Sequence, residues 1–214
     1  MYQDFPRTAS AEQSGAYDRL YACRDLLWSS HPGRMVRKAV ALRPAGRVLE
    51  AGCGDGKNVA FLLAHGWTVH AFDISALAVD ACRRRLAVPR EEACRIWRDD
   101  SRLAALEEHG YDMVVAYGLY HCLDDAGLND THWRLTSALK PGGLFVCAAF
   151  NDSLPVPEGH ATGRLFLRTK EHLTELFSAW TLIALEVGTI EEDHSPLVGR
   201  HQHSLTWVIY RKAT

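Results

Sequence analysis

The segment Val48-Leu49-Glu50-Ala51-Gly52-Cys53-Gly54-Asp55-Gly56-Lys57-Asn58 constrains this chain more than any other. The apolar run Arg47–Ala51 ends in alternating glycines. A helical pattern follows at once, with Val59, Ala60, Leu62 and Leu63 inward and Gly66 placed as its stop. Glycines at such a turn let the backbone reverse without a Cβ clash and approach a ligand closely. Strand, glycine turn and helix together are the opening of a βαβ unit, which implies a parallel sheet.

The rest of the chain continues the alternation. Trp67–Phe72 is β-rich, and Ser75 is placed to cap a helix through about Leu86, with Leu77, Ala78, Ala81 and Cys82 on its inner face. Cys94–Arg98, Asp112–Tyr117 and Leu144–Phe150 read as strands. Asp125–Leu139 reads as a helix, and Pro141-Gly142-Gly143 turns the chain. Asn151–Arg168 is a long loop with two prolines, long enough to act as a lid. Thr169 caps a helix to about Ala179. Trp180–Val187 and Ser204–Arg211 are strands with no helix between them, so they should pair antiparallel, joined by the polar stretch Gly188–His203. Ahead of the sheet, Ala16–Trp28 and Arg34–Leu42 read as helices covering one edge. The expectation is one α/β domain over 1–214, with a helical cap at 1–45, a ligand-binding core at 46–150, and a loop, helix and hairpin at 151–214.

Composition narrows the function. Lys+Arg 24 against Asp+Glu 26 gives a net charge of −2, which does not suit a generic polyanion binder, so no nucleic-acid partner is expected. No apolar run approaches a membrane span, and Met1–Arg7 lacks the basic and apolar regions of a leader, so a cytoplasmic protein without a membrane partner is expected. The six cysteines lie at least 12 residues apart, which reads as buried thiols rather than a zinc cluster, although Cys53 and Cys122 are placed to face a ligand.

The glycine turn admits two nucleotide readings. A dinucleotide fingerprint needs a small residue where Lys57 stands. Glu50, two residues before the first glycine, would repel a pyrophosphate but suits a cation, such as the ammonium and sulfonium of S-adenosylmethionine (SAM). Asp73 ends the second strand, where a carboxylate accepts hydrogen bonds from both ribose hydroxyls. Asp99 and Asp100 end the third, and either suits an adenine amino group.

These pieces resemble class I SAM-dependent methyltransferases from about Leu26 to Phe150. The motifs are Leu49–Gly56, Phe72-Asp73-Ile74-Ser75, Tyr111–Val115 before Leu119, and Leu139-Lys140-Pro141-Gly142-Gly143, in order and at family-like spacing. Within that superfamily the chain looks most like small tellurite-resistance-like methyltransferases, on Leu27-Trp28-Ser29-Ser30-His31-Pro32, Gly56-Lys57-Asn58 and His65-Gly66-Trp67. The resemblance implies a Rossmann-like, seven-stranded, mostly parallel sheet with an antiparallel last strand and helices on both faces. It implies SAM as cofactor, held by Glu50, Gly52, Gly54, Asp73 and the Asp99/Asp100 pair, and Cys53, Asn58 and Ile74 beside them are further candidate cofactor contacts. The Tyr117–Gly118 backbone would lie beside the methionine portion, with Trp28 folding over the cofactor.

The acceptor site is sought at the carboxyl edge of the sheet, where open α/β sheets bind ligands. His121 is the candidate base or acceptor contact, and Tyr120 a wall residue. Asn151 and Arg164 are candidate substrate contacts. His201 and His203 share one face of the last strand. Two imidazoles there also suit a metal, with His194 or a carboxylate as third ligand, but only two have forced proximity. Acceptor binding is therefore the leading role and no metal is assigned. The reading is methyl transfer from SAM to a small-molecule acceptor by a monomer or homodimer. Its alternatives are another SAM-derived alkyl transfer or ring closure, an NAD(P) oxidoreductase (disfavoured by Lys57), and a non-catalytic SAM-binding protein.

Overall fold

The computed structural model describes residues 7–23, 31–86, 92–157, 165–194 and 198–214. Seven strands, β1 (Arg47–Ala51), β2 (Thr68–Asp73), β3 (Cys94–Arg98), β4 (Tyr111–Tyr117), β5 (Leu139–Phe150), β6 (Thr181–His194) and β7 (Val198–Arg211), form one sheet in the order β3-β2-β1-β4-β5-β7-β6. Strands β1 to β5 pair in parallel, and β7 pairs antiparallel with both β5 and β6. This is the seven-stranded, mostly parallel sheet with an antiparallel strand and helices on both faces that the sequence leads one to expect. The chain runs outward from β1 to β3 and returns to β4 on the other side of β1. That reversal opens a crevice at the carboxyl ends of β1 and β4.

Strand periodicity sorts side chains onto two faces. Val48, Met113, Val115, Val146 and Trp207 pack against α2 (Arg34–Val40) and α3 (Lys57–Ala64). Leu49, Val114, Phe145 and Val208 pack on the other face against α5 (Asp125–Ala138) and α6 (Lys170–Glu175). At the front edge, α1 (Arg7–Cys23) lies on α4 (Ala76–Leu86), joining Leu20 and Tyr21 to Ala78 and Ala81. Cys53, Cys82, Cys94, Cys122 and Cys147 are free thiols. No described helix is long and apolar enough to cross a membrane.

Several expectations need correction. Leu77 is exposed, and Val79 takes its place on the inner face of α4. Pro141-Gly142-Gly143 does not end one element before another begins. It is an excursion inside β5, where Tyr111 pairs with Leu139 but Met113 pairs with Leu144. Gly142 has φ +72°, a left-handed conformation that a Cβ disfavours. The polar stretch 188–203 is largely strand, because β6 and β7 pair from Thr181↔Arg211 to His194↔Val198. Helix α6 is short, although the Thr169 hydroxyl does cap it, accepting from His172 N–H at 3.0 Å.

Candidate functional site

A cavity of about 570 Å³ fills the crevice. Its lining follows the strand order. Asp99 and Asp100 border it beyond β3, Asp73 and Ile74 at β2, and Glu50, Gly52, Cys53 and Gly54 at β1. Tyr117 and Gly118 follow at β4, Phe150 at β5, Leu205 and Trp207 at β7, and Ile190–Asp193 at β6.

Backbone geometry shapes the β1 end. Gly52, Gly54 and Gly56 adopt φ of +71°, +54° and +80°. Gly52 and Cys53 N–H both donate to Phe72 O, at 2.9 and 3.0 Å, which stitches the turn to β2. A Cβ on Gly56 would stand 2.4 Å from Cys82 Sγ, so the turn can sit on α4 only as glycine. Asp55 points away from the cavity, buried in an ion pair with Arg85 at 3.2 Å.

The two central carboxylates are buried. Asp73 Oδ2 accepts from Gly54 N–H at 2.9 Å, and Oδ1 from Ser75 N–H at 3.0 Å. Burial pushes its carboxyl above the ordinary value, while the N–H donors of Ser75, Gly54 and Ile74 oppose that shift. Glu50 is held more lightly. Asn58 Nδ2 donates to its Oε1 at 2.7 Å, and Asn58 Oδ1 accepts from Gly33 N–H at 2.8 Å. Glu50 Oε2 is buried without a hydrogen-bond partner among the described residues. Burial raises this carboxyl to about 8, against the Asn58 hydrogen bond and the Lys57 charge. An unpartnered buried carboxylate oxygen at a cavity wall asks for a cationic or N–H donor.

The third acidic pair separates in the structure. Asp100 is clamped by Arg102, whose Nε and Nη2 donate at 2.9 and 2.7 Å. Asp99 accepts from Trp97 Nε1 at 3.1 Å and from Asp100 N–H at 2.9 Å. Among the described residues no guanidinium clamps Asp99 in the same way, so its carboxylate is the better placed for a further donor.

His121 lies in a 3-10 turn, Tyr120–Cys122, after β4 and borders the cavity. Phe150 N–H donates to its Nδ1 at 3.0 Å, and the ring stacks on Phe150 at 3.9 Å and 12°. A neutral imidazole that accepts at Nδ1 carries its proton on Nε2. Cys53 and Cys122 border the cavity too; the hydrogen bond with Cys82 and then burial raise the Cys53 thiol, and burial raises Cys122 to about 12. Neither is a ready thiolate.

The structure departs from other sequence-based placements. Tyr120 is buried on the far face of the sheet, its hydroxyl 3.0 Å from His132 Nδ1, and does not border the cavity. Asn151 is internal as well. Its Nδ2 donates to Thr206 Oγ1 at 3.1 Å and its Oδ1 accepts from Ser153 N–H at 3.0 Å, so it ties β5 to β7. His201 and His203 stand behind Phe150 and Glu192, and neither borders the cavity. Trp28 and Arg164 lie outside the described residues. Among cavity residues that the sequence did not mark as site candidates are Tyr17, His31, Arg34, Lys57 and Trp207. Arg34 stacks over Trp207 at 4.2 Å, and Lys57 Nζ stands 5.7 Å from the Tyr117 ring. Gly33 makes that wall possible, since a Cβ there would meet the Tyr117 ring at 2.5 Å. The mismatch at Lys57 was the one signal that pointed toward this wall.

Fold and crevice together define a class I methyltransferase architecture, with an acid at the tip of each of three adjacent strands. Residues 49–145 match the methyltransferase domain family. A demethylmenaquinone methyltransferase of Clavibacter sepedonicus is 32% identical over 152 residues, 68% of this chain and 58% of that protein. Among solved structures, TehB from Haemophilus influenzae aligns at TM-score 0.71 and 19% identity, over 84% of this chain and 62% of that one. The 1,6-didemethyltoxoflavin-N1-methyltransferase of Burkholderia thailandensis aligns at 0.69 and 22% identity, over 100% and 93%. The chain spans about a third to three fifths of the length of the curated relatives it matches.

Proposed function

We propose that this chain is an enzyme that binds SAM across β3, β2, β1 and β4 and transfers its methyl group to a small molecule held over β4, β5 and the β7–β6 pair. The observation that carries the reading is Glu50 Oε2, a buried carboxylate oxygen without a hydrogen-bond partner among the described residues, at the cavity wall beside a glycine turn. It matches an ammonium and opposes a diphosphate.

Glu50 would take the ammonium, Asp73 the ribose hydroxyls and Asp99 the adenine amino group. Bound SAM supplies a methyl group already activated on a sulfonium. The protein's own contribution is alignment of the acceptor with the carbon–sulfur bond and exclusion of water. His121 acts as an acceptor contact, donating from Nε2–H. Abstraction of a proton at Nε2 would need the other tautomer, which sets Nδ1–H against Phe150 N–H. The acceptor end is lined by Arg34, Arg37 and Lys57 together with Glu191, Glu192 and Asp193, so it offers partners of both charge signs to an acceptor. Helix α1 serves as part of the cap, through Tyr17 and Tyr21. The free thiols support a reducing, cytoplasmic setting.

Calorimetry with SAM, S-adenosylhomocysteine and NAD+ tests the cofactor. The expected order is micromolar binding of the sulfur nucleosides and none of NAD+. Preferential binding of NAD+ would overturn the reading. With SAM bound, the mass of products from candidate acceptors separates methyl transfer (one added CH2) from another alkyl transfer or ring closure.

A further inference from the structure

The apolar stripe that β7 turns toward α2 and α3, Ile209, Trp207 and Leu205, continues into two imidazoles, His203 and His201. Glu192 pairs directly with His201 across the β6–β7 ladder. A direct cross-strand pair shares a face of the sheet, so three potential ligands project from one side of a two-stranded ribbon. One ligand atom from each lies within 4.8 Å of the others. His203 Nε2 is 3.8 Å from Glu192 Oε2, and the two imidazole centroids are 4.8 Å apart.

We propose that Glu192, His201 and His203 bind one divalent transition-metal ion of the zinc type, at the β6–β7 side of the cavity. Two further observations support a built site. His201 Nδ1 lies 2.6 Å from Gly199 O. A neutral ring that donates there keeps Nε2 unprotonated, the arrangement metal-bound histidines use, with the second nitrogen anchored on a backbone carbonyl. His203 is buried, and its ring is fixed by stacking on Phe150 at 3.9 Å and 9°. Two imidazoles and a carboxylate suit Zn2+, Co2+ or Ni2+ better than Mg2+ or Ca2+, which prefer all-oxygen sets. Tetrahedral zinc with ligands at about 2.0–2.1 Å sets donor atoms roughly 3.3 Å apart, so small side-chain rotations close this cluster. Three protein ligands leave a coordination position for water. Glu192 also borders the cavity, so the ion would brace the wall formed by Ile190–Asp193.

The site does not depend on which cofactor the crevice takes. It is tested on chain purified without an added histidine tag, stripped with a chelator and dialysed against Zn2+. Expected are one zinc per chain by elemental mass spectrometry, tetrahedral visible bands with Co2+, and a higher melting temperature with Zn2+. Glu192→Gln and His201→Gln should each weaken zinc binding by more than about 100-fold, measured against a chromophoric chelator, while His172→Gln on α6 leaves it unchanged. Both informative variants alter partly exposed side chains, and a cooperative melt at the metal-free wild-type temperature confirms that they fold. Stoichiometry below about one tenth, or affinity unchanged in folded Glu192→Gln and His201→Gln, overturns the proposal. The cluster is then a His203–Glu192 ion pair alone.

Discussion

Glu50 and Asn58 fit together in one orientation only. Asn58 Oδ1 accepts from Gly33 N–H at 2.8 Å, which turns the Asn58 amide nitrogen onto Glu50 Oε1 at 2.7 Å and leaves Oε2 buried without a hydrogen-bond partner among the described residues. Period-2 alternation puts Glu50 on the same face as Val48, where α3 packs, so strand and helix meet through this pair.

The first prediction concerns pH. Burial lifts the Glu50 carboxyl to about 8 from an ordinary value of 4.5. Between those values the folded, ligand-free chain holds a proton that the unfolded chain has released. Its stability therefore falls as pH rises across that window. An ammonium ligand reverses the balance by expelling the proton. Affinity for S-adenosylhomocysteine should rise with pH up to about 8, at most tenfold per unit, and decline above it as the ligand's own ammonium titrates. Methylthioadenosine, which lacks the ammonium, should show no rise, and Glu50→Gln should flatten the slope. Calorimetry in buffers of different ionisation enthalpy counts the released protons. Identical slopes for the two ligands would remove Glu50 from the cofactor site.

Asp73 supplies acceptors to two backbone N–H groups, Gly54 in the glycine turn after β1 and Ser75 just beyond β2. Asp73→Ala leaves both donors buried, at a cost of about 2–4 kcal/mol in urea denaturation. Loss of the ribose acceptors should weaken SAM binding by about 100-fold, read by calorimetry on the folded fraction. Asp73→Asn keeps one acceptor but turns an amide nitrogen toward an N–H, so an intermediate loss is expected. Unchanged SAM affinity in folded Asp73→Ala would free Asp73 of that role.

The parallel core could be read from sequence because local and long-range signals agree there. Gly52, Gly54 and Gly56 adopt positive φ, the flanking runs switch between strand and helix periods, and the buried strands β4 and β5, where Val114 pairs with Phe145 and Val115 with Val146, carry apolar residues on both faces. The cofactor-side positions Glu50, Asp73 and the Asp99/Asp100 pair lie at strand ends and all border the cavity, while the choice between Asp99 and Asp100 rests on the Arg102 clamp, which strand ends do not encode. The acceptor side was misread for a different reason. Residues 188–203 are polar because β6 is an edge strand, half open to water, and polarity there resembles a loop. Placing His201, His203 and Asn151 requires the β5–β7–β6 register, which no local pattern encodes. Tyr120 and His121 are neighbours in a 3-10 turn, and only tertiary packing decides which one meets the cavity.

His121 offers a test that separates contact from base. The Asn Oδ1 can replace Nδ1 as the acceptor for Phe150 N–H, so His121→Asn should fold and retain SAM affinity. Loss of the Nε2 donor should lower kcat/KM for the acceptor by about tenfold, with the shape of the pH–rate profile unchanged. Steady-state kinetics over the neutral pH range reads both. Disappearance of an acid limb in the variant would make His121 a general base instead.

Tyr120 gives the opposite expectation, a structural loss without a catalytic one. His132 Nε2–H donates to Leu176 O at 3.1 Å, so its Nδ1 is the acceptor for the Tyr120 hydroxyl at 3.0 Å, with Phe145 beside both rings and Phe177 edge-on to His132. Burial pulls the His132 imidazole down to about 4. The unfolded chain therefore takes up a proton near 6.5 that the folded chain refuses, and stability should fall as pH drops from about 6.5 toward 4. Tyr120→Phe removes one hydrogen bond and leaves the ring in place, so urea denaturation at pH 7 should show a loss of about 1 kcal/mol. Acceptor KM and SAM affinity should stay within about twofold, because no cavity wall changes. A tenfold rise in acceptor KM without loss of stability would return Tyr120 to the acceptor site and move the boundary of the cavity to the far side of β4.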